Sequence, residues 1–337
     1  MTALITAPAK PLRSALTLPG AYWAALRQHR TALWLALALF ALGAAALTAD
    51  RLWVAHAADV FMSSDCSIRN TTVECGGPIR GYLDAEIEFA RNLDRMGMAI
   101  LALPCLIGAF AAGPLIARDL ETGTYKLAWS QSHSPARWLA TRLVLCAAVV
   151  VAGVSLLALV QRWAWSTGPA LEYARAPWYE RATYGSVGPV ALGYALLGLA
   201  VGAVAGILLR RTLPAMSAAV AVMAGAVFVL PLARPHLWAT ETITWLHTRP
   251  PVTPESGYPV ARGLLASDGS RLPESLCWGP VRDPEQCFSE HGVTGWYTDF
   301  HPSSHFWPLQ FMETGILLAL AAAAAYAAFR LLRRRTA

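Results

Sequence analysis

The chain has 337 residues, of which 55% are hydrophobic and only 14% charged, where a soluble domain carries about 25% charged residues. That deficit excludes an ordinary water-soluble domain. The net charge of +6 does not argue for nucleic acid as a partner, because the basic residues sort by membrane side.

Residues 1–30 read as a cytoplasmic arm. Tyr22, Trp23 and Leu26 fall on one face of a helix, with Arg27, Gln28 and Arg30 away from it. This is the pattern of an amphipathic helix lying among lipid headgroups. A bilayer core about 30 Å thick needs roughly 20 apolar residues per crossing. Six windows qualify: 31–49, 96–117, 143–160, 188–209, 213–232 and 309–329. Lipid offers the backbone no outside hydrogen-bond partner, so each window is expected to be a helix. The expected fold is therefore an all-α integral membrane protein with six transmembrane helices. Residues 31–232 would hold the first five, 233–308 a large extracellular loop with room for a small folded cap, and 309–337 the sixth helix and a basic tail.

Six crossings put both termini on one side. The arm, the 118–142 link, the 210–212 turn and the tail together hold 14 basic residues against two acids, Asp119 and Glu121. The links 50–95, 161–187 and 233–308 hold 13 basic residues and 18 acids over about twice the length. Basic density therefore places both termini in the cytoplasm. Only Lys10 and Lys126 among the basic residues are lysine, an arginine bias of the kind GC-rich bacterial codons give. The first long apolar run begins only at Thr31, too late for a secretory leader.

Cys66 and Cys75 fall in the first outer link, and Cys277 and Cys287 in the third. An outer face is oxidising, and four cysteines there allow three pairings. Pairing Cys66 with Cys75 and Cys277 with Cys287 is favoured because each closes a short loop; a metal or redox site is the alternative. Cys105 and Cys146 lie in the spans as packing residues. Ahead of the second span, Leu83, Ile87 and Ala90 share a face, which predicts an amphipathic helix outside the membrane. Pro104, Pro114 and Pro231 predict kinks.

The 118–142 link is a polar island between apolar spans. Thr122-Gly123-Thr124 breaks or bends the second helix. Ser134 is a good N-cap with Pro135 at the first helical position of the third. A helix–turn–helix knuckle below the membrane follows. Gly198, Gly202 and Gly206 recur every four residues, a close-packing signal, and the short Arg210-Arg211-Thr212 link favours the fifth helix as partner. Glu313 lies near the outer end of the sixth span and reads as water-facing. His291, His301 and His305 read as water-facing loop residues, with a metal site at His301 and His305 as the alternative.

A proton- or sodium-coupled transporter needs buried acids or broken helices at mid-membrane, and neither is evident. No G-x-x-x-x-G-K-[ST] phosphate loop, His-Glu-x-x-His run, nucleophile elbow or Cys-x-x-Cys pair is present, which argues against an enzyme. The energy source is expected in another chain.

Arg118, Asp119, Glu121, Gly123 and Thr124, followed by Ser134, Pro135 and Arg137, resemble the run after the second span in permeases of the ABC-2 type, the membrane halves of ATP-driven exporters. The resemblance extends to the amphipathic arm and to the enlarged loop before the sixth span. It implies that the 118–142 knuckle docks on a separate ATPase subunit and that Glu121 relays its movement to the spans. It implies no cofactor in this chain, with ATP and Mg on the partner subunit. It further implies a homodimer or a pairing with a second permease, contact with membrane lipid, a multi-pass place in the plasma membrane, and export of an amphiphilic substrate such as a drug, antibiotic, lipid or peptide. The alternatives are a non-transporting sensor or scaffold displaying a disulfide-stapled extracellular domain, and a membrane enzyme with scattered catalytic residues.

Overall fold

The computed structural model of the chain describes residues 20–69, 72–125, 134–166, 176–246, 257–277 and 283–336. Among them, six helical segments are long and apolar enough to cross a membrane: Arg30–Met62, Val73–Thr122, Pro135–Trp165, Val190–Leu209, Thr212–His236 and Ser303–Arg334. Five of the six extend beyond the apolar windows of the sequence, because polar ends continue the helical hydrogen bonding beyond the greasy centre; the fourth starts two residues later than its window, at Val190 after Pro189.

Helix α1 (Gly20–Met62) is unbroken over 43 residues, about 65 Å at 1.5 Å per residue. The described part of the arm predicted to lie along the membrane surface is helical and runs into the first span without a break. Leu26 is half-buried and Arg27 exposed; the side chains of Tyr22 and Trp23 lie outside what is described. The second span is α2 (Gly76–Leu106), a π-helical stretch over Ile107–Ala112, and α3 (Gly113–Thr122). Pro104 lies in α2 and Pro114 opens α3. Each lacks a backbone N–H, so the regular ladder is interrupted on both sides, and the wider π-turn occupies the gap. The buried face at the start of α2 is Tyr82, Ala85, Glu86 and Phe89. The predicted helix is present, but its buried face is offset from the stripe of Leu83, Ile87 and Ala90: Ile87 is exposed, Leu83 packs beside Phe61 and Tyr82, and Tyr82 stacks on Phe61 of α1 at 4.7 Å.

Helix α4 (Pro135–Trp165) starts as the sequence dictates. Ser134 Oγ accepts a hydrogen bond from Arg137 N at 3.3 Å, and Pro135 occupies the first turn. The short α5 (Arg181–Ser186) leads into α6 (Val190–Leu209), the central stave of the bundle. Its span is 67% buried, against 22% for α4 and for the last two spans. Helix α7 (Thr212–Ala233) follows a tight turn in which Arg210 takes φ 54°, a left-handed cap position where glycine is usual.

The glycine stripe of α6 does not serve the neighbour the short link suggests. Gly198 lies against the Pro104 carbonyl, Gly202 against Gly108 and Ala112, and Gly206 against Gly113 and Ile116. The second span is therefore seated in the α6 groove, backbone on backbone. Gly108 reciprocates: a Cβ there would stand 2.9 Å from the Gly198 carbonyl oxygen.

The all-α expectation fails between the fifth and sixth spans. Strands β1 (Glu241–Trp245), β2 (Tyr258–Ala266), β3 (Arg271–Pro273) and β4 (Val293–His301) form an antiparallel sheet in the order β1-β4-β2-β3. The β2–β3 hairpin turns through Gly269 at φ 81°, and Asp268 Oδ1 accepts from Ser270 N at 2.9 Å. The sheet carries its own core of Leu264, Trp296, Phe288, Cys277 and Cys287, with helix α8 (Pro284–Glu290) across it. Large apolar side chains alternating with Thr and Gly suit one buried sheet face, which is why this segment folds as strands. Helix α9 (Phe306–Thr336) completes the bundle. Cys66 and Cys75 stand at disulfide distance, as do Cys277 and Cys287, with Cα atoms 5.5 and 5.6 Å apart.

The groove packing yields a stability test. Gly202→Leu forces a side chain into the Gly108 backbone and is expected to cost about 1–3 kcal/mol, read as a lower melting temperature of the purified protein in detergent. Gly225→Leu on α7, where a Cβ meets nothing within 4 Å, is expected to leave that temperature unchanged.

Candidate functional site

The polar island is built on the end of α3. The helix stops because Gly123 takes the left-handed conformation at φ 75°, open to glycine at little cost. Thr122 Oγ1 bonds back to the Arg118 carbonyl at 2.9 Å and lies 3.1 Å from Thr124 Oγ1, so the last turn is closed by its own side chains. Lys126 and the rest of 126–133 lie outside the described residues.

The two acids of the island reach different helices. Glu121 Oε2 accepts from Thr212 N at 3.0 Å and from Thr212 Oγ1 at 2.7 Å. Thr212 is the first residue of α7, and the residue before it, Arg211, makes no side-chain cap. Glu121 therefore caps a helix to which it does not belong, placing its negative charge at the positive end of that helix. Asp119 pairs with Arg142 of α4 at 2.5 Å, both side chains largely covered. Arg142 also donates to the Leu115 carbonyl at 3.4 Å and lies 4.8 Å over the Trp138 ring. The end of α3 is thus tied to α7 by one acid and to α4 by the other. Arg118 and Arg137 are exposed at the same end. Of the sequence-selected residues, the structure joins Asp119 and Glu121 to partners outside the motif, Arg142 and Thr212. Ser134, Pro135 and Arg137 shape the start of α4.

A second polar group sits at the opposite end of the bundle. Glu313 of α9, expected to face water, is 3% exposed. It accepts from Arg234 Nε at 2.8 Å, from Arg234 Nη2 at 3.1 Å and from the Tyr194 hydroxyl at 3.2 Å. The Arg234 guanidinium lies 3.7 Å from the centre of the Tyr184 ring. Beside it, Gln310 donates to the Tyr184 carbonyl at 2.7 Å and accepts from Val190 N at 3.2 Å. Sequence reasoning missed the pair because the partners are 79 positions apart and each reads singly as a boundary charge. Its signal was the one acid inside an apolar window.

His301 also departs from expectation. It is fully buried, with Nε2 3.0 Å from the Pro235 carbonyl. Burial pushes its pKa below the ordinary histidine value, and the neighbouring His305 adds to this. Cys277, Cys287 and His291 come together as a metal-type triad with ligand atoms within 4.8 Å, but the two sulfurs face each other at disulfide distance.

The buried pair predicts a specific stability pattern. Arg234→Leu strands the Glu313 charge and is expected to cost about 3–5 kcal/mol, whereas Arg234→Leu with Glu313→Leu is expected to recover most of it; thermal unfolding of the two variants in detergent checks this.

Comparison with known families places these geometries. The family model described as ABC-2 membrane transporter related matches residues 37–234, from the first span through the 118–142 link to the end of the fifth. A search of curated proteins and a search of solved structures each found no match. With more than half of its length matched and six helices suited to cross a bilayer, the chain is a multi-pass membrane protein that belongs to the ABC-2 membrane transporter related family.

Proposed function

We propose that this chain is the membrane-spanning permease subunit of an ATP-driven exporter in the plasma membrane. A separate ATPase subunit, holding ATP and Mg, docks on the knuckle around Gly123 and Thr124. The observation that carries the reading is the Glu121–Thr212 contact, because it gives a push on the knuckle somewhere to go. Displacing the end of α3 drags the start of α7 through Glu121 and the start of α4 through Asp119 and Arg142. Since α3 is the continuation of the span seated in the α6 groove, the same push bears on the centre of the bundle.

In this reading both termini and the knuckle are cytoplasmic, as basic density favours, and the sheet and the four paired cysteines face outward. Two six-helix units, identical or sibling, enclose the route. The cargo is amphiphilic: a drug, antibiotic, lipid or peptide. The surfaces of α1, α7 and α9 are rich in exposed Leu, Val and Phe and suit lipid contact. The domain limits follow the same logic, with 1–30 as arm, 31–232 as the first five spans, 233–308 as cap, and 309–337 as last span and tail.

The test is a complex of the permease with its ATPase reconstituted in vesicles. Glu121→Ala and Thr212→Val are each expected to lower ATP-dependent export several-fold while the ATPase stays bound. The double variant should be no worse than either single one, since both break one contact. Additive losses, or unimpaired export by Glu121→Ala, would refute coupling through this bond. Peptide mapping under non-reducing conditions checks the outward placement: Cys66 linked to Cys75 and Cys277 to Cys287 is expected, with Cys105 and Cys146 free.

A further inference from the structure

Two imidazoles at the junction of the sheet and the last span have no part in the coupling reading. His301 is the final residue of β4 and is fully buried. His305 closes the single 3-10 turn Ser303–His305 that leads into α9. Their Nδ1 atoms stand 3.1 Å apart. Each ring turns its other nitrogen to an oxygen: His301 Nε2 lies 3.0 Å from the Pro235 carbonyl, and His305 Nε2 lies 3.6 Å from Glu241 Oε1 on β1.

Proton placement follows from these acceptors. A carbonyl oxygen has no hydrogen to give, so His301 Nε2 carries the proton and His301 Nδ1 is a lone pair. The Glu241 carboxylate, 3.6 Å away and beyond hydrogen-bond reach, favours a proton on His305 Nε2 by its charge; in that tautomer His305 Nδ1 is a second lone pair, whereas a proton on His305 Nδ1 gives an N–H···N hydrogen bond between the rings. Two lone pairs at this separation repel unless a positive centre lies between them. Two nitrogens bound to one tetrahedral zinc through bonds of 2.0–2.1 Å sit about 3.3 Å apart, close to the separation found. The His301 N–H hydrogen-bonded to a carbonyl, and the carboxylate near the outer nitrogen of His305, are also of the kind that surround metal-bound histidines. Imidazole nitrogen suits zinc, copper and nickel over calcium or magnesium.

We propose that His301 and His305 bind a divalent transition-metal ion, Zn2+, Cu2+ or Ni2+, through their two Nδ1 atoms, with water completing the shell on the His305 side, where the side chain is 15% exposed. The ion joins the end of β4 to the start of α9. Through the His301–Pro235 hydrogen bond it also fixes this junction to the end of the fifth span. The competing occupant of the same gap is a proton, carried on one Nδ1 and hydrogen-bonded to the other, which leaves no room for a metal.

The experiment uses the full chain in detergent, with any affinity tag removed, stripped with chelator and then dialysed against Zn2+, Ni2+ or Cu2+. Elemental analysis is expected to find one ion retained per chain. His305→Ala is expected to lose it, as is His301→Gln, while His291→Ala keeps it. The Cu2+ form is expected to show hyperfine splitting from imidazole nitrogen in its electron paramagnetic resonance spectrum, absent in His305→Ala. Should His301→Gln fail to fold, His305→Ala alone decides, since its residue lies in a partly exposed turn. Retention of no ion by the unaltered chain, or equal retention by His305→Ala, would overturn the site and leave the shared proton as the occupant.

Discussion

Backbone contact between the fourth span and the second is the constraint from which the remaining geometry follows. Gly198, Gly202 and Gly206 remove every side chain that would hold the two helices apart, so Pro104, Gly108 and Gly113 can enter the groove. Without a hydrophobic drive between helices in lipid, close packing of this kind is a main source of association. It fixes the height and rotation of α3, and those place Glu121 beside the first residue of α7 and Asp119 beside Arg142. The π-helical stretch belongs to the same arrangement. It lies where the glycine-lined surfaces meet and allows Gly108 and Gly113, five apart, to meet glycines spaced by four.

Features legible in the sequence were those with a local cause. Apolar run length gives the six crossings, since desolvating a backbone outside a helix is prohibitive. Gly123 and Ser134-Pro135 announce a helix end and a helix start through their own conformational preferences, and both stand where the chain says. The spacing of the glycines announces close packing but not its partner, because spacing describes one surface and the partner is chosen by the whole bundle. Proximity along the chain pointed to α7; geometry chose the second span.

What was not legible depended on residues far apart. The strands of the cap have Thr, Val, Tyr and Trp in alternation and an Asp-Gly turn, yet Pro and Gly elsewhere in 233–308 dilute the pattern over a long segment. Arg234 and Glu313 each look like a charge at a membrane boundary. Only the fold reveals that each has left water and is compensated by the other. Glu121 was selected as part of a motif, but its acceptor role for Thr212 could not be read, since nothing in the motif refers to the fifth span. His301 was taken for a surface residue because its loop is polar; it is buried because it ends β4, an inner strand of the sheet, against the Pro235 carbonyl at the end of the fifth span.

The matched family region closes at Arg234, and Arg234 is balanced by a carboxylate that lies beyond it. The matched region therefore leans on a residue outside it. A polypeptide ending after the fifth span would strand a guanidinium among Tyr184, Tyr194 and apolar neighbours. The last helix thus acts as an electrical counterweight, without which the first five spans would carry an uncompensated buried charge.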